Sequence, residues 1–133
     1  MKIGLDYGGV ISFSPDGWAK TIKKSIGNGH EIFLISHVNP GLIEHLQMRT
    51  DFAEKTGAVN LTFSDLEWQS QKKQVGQRKA DLCIQHDIEI FIDDDLFMVQ
   101  EVGRICSRCS SLYIPQNLWQ VGQRLIDGLT EDW

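Results

Sequence analysis

Lys2-Ile3-Gly4-Leu5-Asp6-Tyr7-Gly8-Gly9 is a short apolar run that ends on an acid and then on two glycines. A run this short, bounded by residues that let the chain turn, reads as a strand buried on both faces rather than as a helix. The pattern returns at Ile88-Glu89-Ile90-Phe91-Ile92, which runs directly into Asp93-Asp94-Asp95. Between them, Glu31 to Ile35 is another apolar run, ending at Ser36, and Val59 to Phe63 is a further strand. Leu112 to Ile114 completes the set of five.

Helical periodicity fills the gaps. Ser14-Pro15-Asp16 opens a helix with Trp18, Ile22 and Ile26 on one side, and Gly27-Asn28-Gly29 closes it. Asn39 and Pro40 read as cap and first turn of a second, marked by Leu42, Ile43, Leu46 and Ala53 and stopping near Gly57. Ser64 to Lys79 is polar and contains Gly76, so it is expected as loop plus an irregular helix whose regular part includes Ala80 to Gln85. Val99, Val102 and Cys106 give a fourth helical face, and Leu118, Val121, Leu125 and Leu129 a fifth. Strands alternating with helices predict an α/β fold: a Rossmann-like three-layer α/β/α sandwich around a five-stranded, mostly parallel sheet. A chain of 133 residues without repeat or linker fits one domain over residues 1–133.

The balance of 18 Asp and Glu against 13 Lys and Arg, net −5, disfavours non-specific binding to nucleic acid. No signal-peptide core precedes Asp6 and no segment approaches the roughly 20 apolar residues that span a bilayer, so the expected protein is soluble and cytoplasmic, without membrane association. Three cysteines, Cys83, Cys106 and Cys109, are an odd and sparse set that suits a reducing compartment. Cys106-Ser107-Arg108-Cys109 is a C-x-x-C pair with no second pair to complete a zinc site, and it follows a helix rather than starting one.

In such a sheet, ligands bind at the carboxyl ends of the strands, beside the point where strand order reverses. Those ends carry Asp6, Ser36, and Asp93 with Asp94. Three carboxylates on one rim repel one another unless a cation sits among them, and hard oxygen donors in low number suit Mg2+, which keeps several waters and often a substrate phosphate. Each acid also has an ordinary explanation as turn former or cap, and Asp93 to Asp95 would equally open the helix at Leu96.

Taken as an ordered set, these residues resemble the haloacid dehalogenase (HAD) superfamily of mostly magnesium-dependent phosphatases and phosphotransferases. Asp6-Tyr7-Gly8-Gly9-Val10 is similar to its first motif and Phe33-Leu34-Ile35-Ser36 to its second. Lys79 resembles the third, and Ile90-Phe91-Ile92-Asp93-Asp94 the fourth, so the likeness spans residues 1 to about 114. The resemblance implies Asp6 as a nucleophile forming an aspartyl phosphate, Ser36 as hydrogen-bond partner of a phosphoryl oxygen, and Lys79 as the neutralising cation. The metal would be held by Asp6, Asp93, Asp94 and the backbone carbonyl of Gly8. Lys72 and Lys73 compete with Lys79 for its role.

One departure stands out. The family's phosphatases usually carry a second aspartate two positions after the nucleophile, which protonates the leaving oxygen and later activates water. Gly8 occupies that position. Such assistance is typically worth ~10² to 10⁴ in rate, so the expectations divide. One is a phosphate monoester hydrolase weakened by Gly8 or specialised for a good leaving group. Another is a catalytically impaired domain that binds a phosphorylated ligand or a protein partner. Asp16 and His37 are substitutes to consider for the missing acid, although a helix start and a loop position explain them as well. The intervals from Asp6 to Ser36 and from Ser36 to Lys79 are filled by the expected helices and strand, leaving no room for a cap domain. An open rim suits a substrate large enough to exclude water itself, or a covering partner subunit. Trp68 with Lys72, Lys73, Arg78 and Lys79 also has the makings of a nucleotide or nucleic-acid cradle, hence a third reading as a nucleotide or nucleic-acid-end phosphatase; a solvated helix face is the alternative.

Overall fold

The computed structural model describes residues 1–130. Its elements alternate along the chain: β1 (Lys2–Leu5), α1 (Pro15–Gly27), β2 (Glu31–Leu34), α2 (Ile43–Thr56), β3 (Val59–Asn60), α3 (Trp68–Gln85), β4 (Ile90–Asp93), α4 (Leu96–Ile105), β5 (Ser110–Tyr113) and α5 (Trp119–Thr130). The strands form one sheet in the order β3-β2-β1-β4-β5, and every pairing is parallel. The protein is thus an α/β Rossmann-like sandwich. The chain steps outward from β1 through β2 to β3, then returns to the other side of β1, so strand order reverses between β1 and β4.

Pleating decides what each strand residue meets, because successive side chains leave on opposite faces. Ile3, Leu5, Ile32, Leu34 and Ile92 pack with Trp18 and Ile22 of α1, Phe52 of α2 and Ile126 of α5. Phe33 and Phe91 leave on the other face, against Ala80 and Cys83 of α3 and Val102 of α4. Burying each such side chain is worth about 1.5–3 kcal/mol. Gly4 shares this second face, where a Cβ would stand 2.8 Å from Ile35 Cδ1 and 3.3 Å from Phe91 Cδ1. Its missing side chain is what lets the two large residues meet across β1.

Several element boundaries differ from the sequence expectation, for identifiable reasons. The third strand is only Val59–Asn60, with Phe63 joined to His37 by an isolated parallel bridge. The stretch expected as loop plus irregular helix is helical from Trp68 onward, with one non-helical residue at Gln71 (φ −130°). Its buried stripe is Val75, Gly76, Lys79, Ala80 and Cys83, so a lysine stands where an apolar residue would have marked the period. The second helix begins at Ile43, after Gly41 at φ +86°, and not at Asn39-Pro40. Asn39 Oδ1 instead accepts the backbone N–H of Trp68 at 2.8 Å, tying this loop to the start of α3. Leu42 and Ile43 are exposed, and the helix buries Arg49, Phe52, Ala53 and Thr56. In the last helix Val121 is exposed and the buried line is Gly122, Ile126 and Thr130, because Gly122 sits against Trp18 and Ile114.

Candidate functional site

The pleat that sends Phe91 toward α3 sends Asp93 the same way, and Asp6 follows Gly4 onto that face. Both acids emerge at the carboxyl ends of β1 and β4, where strand order reverses. From α3, Lys79 meets them: its Nζ donates to Asp93 Oδ2 at 2.8 Å and to Asp6 Oδ1 at 3.3 Å. The lysine is 2% exposed, and its stem crosses the core at the position of an apolar stripe residue.

Of the three consecutive acids, it is Asp95 that starts the helix. Its side chain caps α4 by accepting the N–H of Met98 at 3.1 Å and pairs with Lys72 at 3.1 Å. Asp93 Oδ1 accepts the Asp95 N–H at 3.0 Å, and Asp94 Oδ2 accepts from Gln116 Nε2 at 2.8 Å. Asp6, Asp93 and Asp94 each offer a carboxylate oxygen, all within 4.8 Å of one another. Hard oxygen donors this few and this close suit a small divalent ion, which Asp6, Asp93 and Asp94 would hold between them. The residues fit Mg2+.

The electrostatics favour a cation. Burial raises the Asp6 pKa well above the carboxylate range; Asp93 and Asp94 raise it further, and Lys79 opposes them. Burial also raises Asp93, against the pull of Lys79. For Lys79 burial acts downward, yet the charges of Asp6 and Asp93 and their hydrogen bonds outweigh it, so the ammonium is held firmly. One lysine thus serves two buried carboxylates with a third beside them, and a divalent ion would supply the missing positive charge.

Gly9 makes the approach of Asp94 possible. It adopts φ +78°, and a Cβ there would stand 2.0 Å from Asp94 Oδ2. Gly9→Ala is expected to cost at least about 1–2 kcal/mol from the backbone alone and to push Asp94 out of the cluster. Thermal melts with and without Mg2+ check this: the variant should melt lower and lose the gain from the ion. Gly8→Ala is the control, because Gly8 is outside the left-handed region and its Cβ would meet only Arg49 Nη2, at 3.7 Å.

These acids floor an open cleft of about 410 Å³ whose walls include Gly8, His37, Arg49, Trp68 and Gln116. Ser36 is not on the wall. It is fully buried, and its Oγ accepts Arg49 Nε at 2.7 Å. This departs from the expected contact with a phosphoryl oxygen, and the reason is again the pleat: Ser36 follows Leu34 onto the α2 face. Arg49 was not foreseen, since a single arginine within a polar helix carries no sequence signal of its own.

The rival lysines are engaged or remote: Lys72 pairs with Asp95, and Lys73 is exposed. Arg78 makes a two-pronged pair with Asp65 at 3.0 and 2.8 Å. Three of the four cations proposed as a nucleic-acid cradle are therefore matched by acids, which leaves Trp68 with little free charge beside it. Asp16 is exposed at the start of α1 and pairs with Lys55 at 3.6 Å. His37 does reach the cleft, with Nε2 donating to the Leu66 carbonyl and its ring beside Phe63 and Trp68; burial lowers its pKa, against the pull of the Leu66 hydrogen bond. Cys106 and Cys109 join Cys83 in the core between the sheet and the α3–α4 layer, all as free thiols. Among the described residues, no helix is long and apolar enough to cross a membrane. The segments between Asp6 and Lys79 form sheet and covering helices, with no cap domain.

No protein-family model matches the chain, and no curated protein matches its sequence. Among solved structures, an uncharacterized protein from Corynebacterium glutamicum is similar over 99% of this chain and 98% of its own, with a TM-score of 0.62 and 19% identity. That likeness supports the fold.

Proposed function

We propose that the protein is a capless, magnesium-dependent hydrolase of phosphate monoesters, acting through an aspartyl phosphate on Asp6 in the manner of the HAD superfamily. The observation that carries this reading is the convergence of Asp6, Asp93 and Asp94 beside the buried Lys79 at the point where strand order reverses. Bound there by the three carboxylates, Mg2+ would shield the charge of an incoming phosphate dianion. A carboxylate oxygen of Asp6 attacks phosphorus, the bond from phosphorus to the ester oxygen breaks, and that oxygen leaves with the bonding pair. Lys79 stabilises the charge carried by the nucleophile and the transferring group. Water then attacks phosphorus and releases phosphate, regenerating Asp6.

Gly8 offers no proton to the leaving oxygen, so monoesters whose leaving group departs as a stable anion, such as aryl phosphates, should be favoured. The open cleft suits a substrate that brings its own cover, including a macromolecular one, and the expected setting is the cytoplasm. The test is phosphate release from an aryl phosphate, supported by Mg2+ and removed by a chelator. Gly8 also favours a second reading, a domain that binds a phosphorylated ligand without turning it over. Phosphate binding with no release would select it.

A further inference from the structure

Arg49 is the cleft's second buried cation, and the reading above gives it no task. It is 7% exposed, and its guanidinium lies over the ring of Tyr7 at 4.6 Å. Nε donates to Ser36 Oγ at 2.7 Å, and Nη1 donates to the His45 carbonyl at 2.9 Å. A guanidinium has five N–H donors, and two are used. The rest, both on Nη2 included, have no protein partner among the described residues, and no carboxylate there pairs with Arg49. Lys79 differs, being shared between two acids.

Asp6 supports this charge at a distance without pairing with it, and the guanidinium is held in place from three sides while its free edge borders the cleft. Nη2 stands 3.7 Å from where a Gly8 Cβ would be, beside the strand end that presents Asp6. A planar fork with open donors matches two oxygens of a tetrahedral dianion.

We propose that Arg49 is the phosphate-binding residue of this cleft, receiving two phosphoryl oxygens through its free N–H groups, with Ser36 as a positioning residue that holds the fork by Nε. This rests on the reading of the cleft as a phosphoryl site. It places a fixed positive charge, incapable of giving up a proton near neutral pH, in the space that Gly8 leaves open.

The experiment is calorimetric titration of inorganic phosphate in the presence of Mg2+, alongside aryl phosphate turnover, for wild type, Arg49→Met, Arg49→Lys, Ser36→Ala and Ser36→Thr. Arg49→Met should bind phosphate at least ~10-fold more weakly, Arg49→Lys less weakly than that because it keeps charge without the fork, and Ser36→Thr should bind more tightly than Ser36→Ala. Millimolar guanidinium ion should restore binding to Arg49→Ala, a recovery that a purely structural role would not give. Should the arginine variants fail to fold, the Arg49 Nε–H resonance of the wild-type protein serves instead: it should shift when phosphate is added. Equal phosphate affinity in Arg49→Met, or bound phosphate that leaves that resonance unmoved, overturns the proposal. Arg49-dependent binding without turnover supports the proposal and removes the hydrolase reading. Turnover that needs Asp6 but keeps its KM in Arg49→Met does the reverse. Wild-type protein that binds no phosphate at millimolar concentration overturns both.

Discussion

Asp6→Asn is expected to reduce magnesium-dependent phosphate release from an aryl phosphate by at least about 10⁴-fold or to background, because removing a covalent nucleophile typically costs more than that. The amide is close to isosteric, keeps an oxygen for Lys79 Nζ at the position now 3.3 Å away, and disturbs the strand end little. It lacks the anionic oxygen that attacks phosphorus. The folded variant should therefore melt at or above the wild-type temperature, since it removes one of three clustered carboxylates. Equal rates in wild type and variant, measured with the same Mg2+, would mean that any observed hydrolysis does not pass through Asp6.

Lys79→Met should have the largest effect on stability. Methionine fills much of the channel that the lysine stem occupies, so packing is largely kept while the charge goes. What remains is Asp6 and Asp93, both buried, facing each other without their common cation. Breaking a buried pair in this way costs about 3–5 kcal/mol. For a domain of this size that is a fall in melting temperature of roughly 10–20 °C.

The loss should depend on pH in a definite direction. The folded-state pKa values of Asp6 and Asp93 lie above the ordinary carboxylate range. Between that range and the raised values the folded protein holds more protons than the unfolded chain, so stability declines as pH rises through this window. Without Lys79 both values rise further, so the deficit of Lys79→Met should be greatest near pH 7.5 and shrink toward pH 5. Melting curves in chelator at the two pH values measure it. A deficit independent of pH would indicate lost packing rather than exposed charge repulsion.

The fold was legible because its strands are short apolar runs that end abruptly in acids or turn residues. Lys2 to Asp6 and Ile90 to Asp93 have no amphipathic alternative. Two helices were harder to read, and for one shared reason. α2 and α3 each place a cation, Arg49 or Lys79, at a core-facing position, where the long stem does the packing and the charged end reaches the cleft. Apolar periodicity treats such a residue as solvent-facing, which put Leu42 and Ile43 on the expected face of α2 beside the buried Ala53, and left the first half of α3 as loop plus irregular helix. The acids of the site were visible as strand ends. Their mutual distance was not, since it depends on which strands neighbour β1. Ser36 shows the limit of strand-end reasoning: the residue was correctly placed after β2, but a one-residue step along the pleat turned its hydroxyl toward α2, behind Arg49.

The proposed chemistry depends on one ion gathering three carboxylates. A crystal soaked in MnCl2 and measured at a wavelength with strong manganese anomalous scattering addresses that directly. A single anomalous peak is predicted at bonding distance from oxygens of Asp6, Asp93 and Asp94, and it should vanish in Asp93→Asn. No peak there, with Asp94 still held by Gln116 and Asp93 still held by Lys79 at saturating manganese, would contradict it.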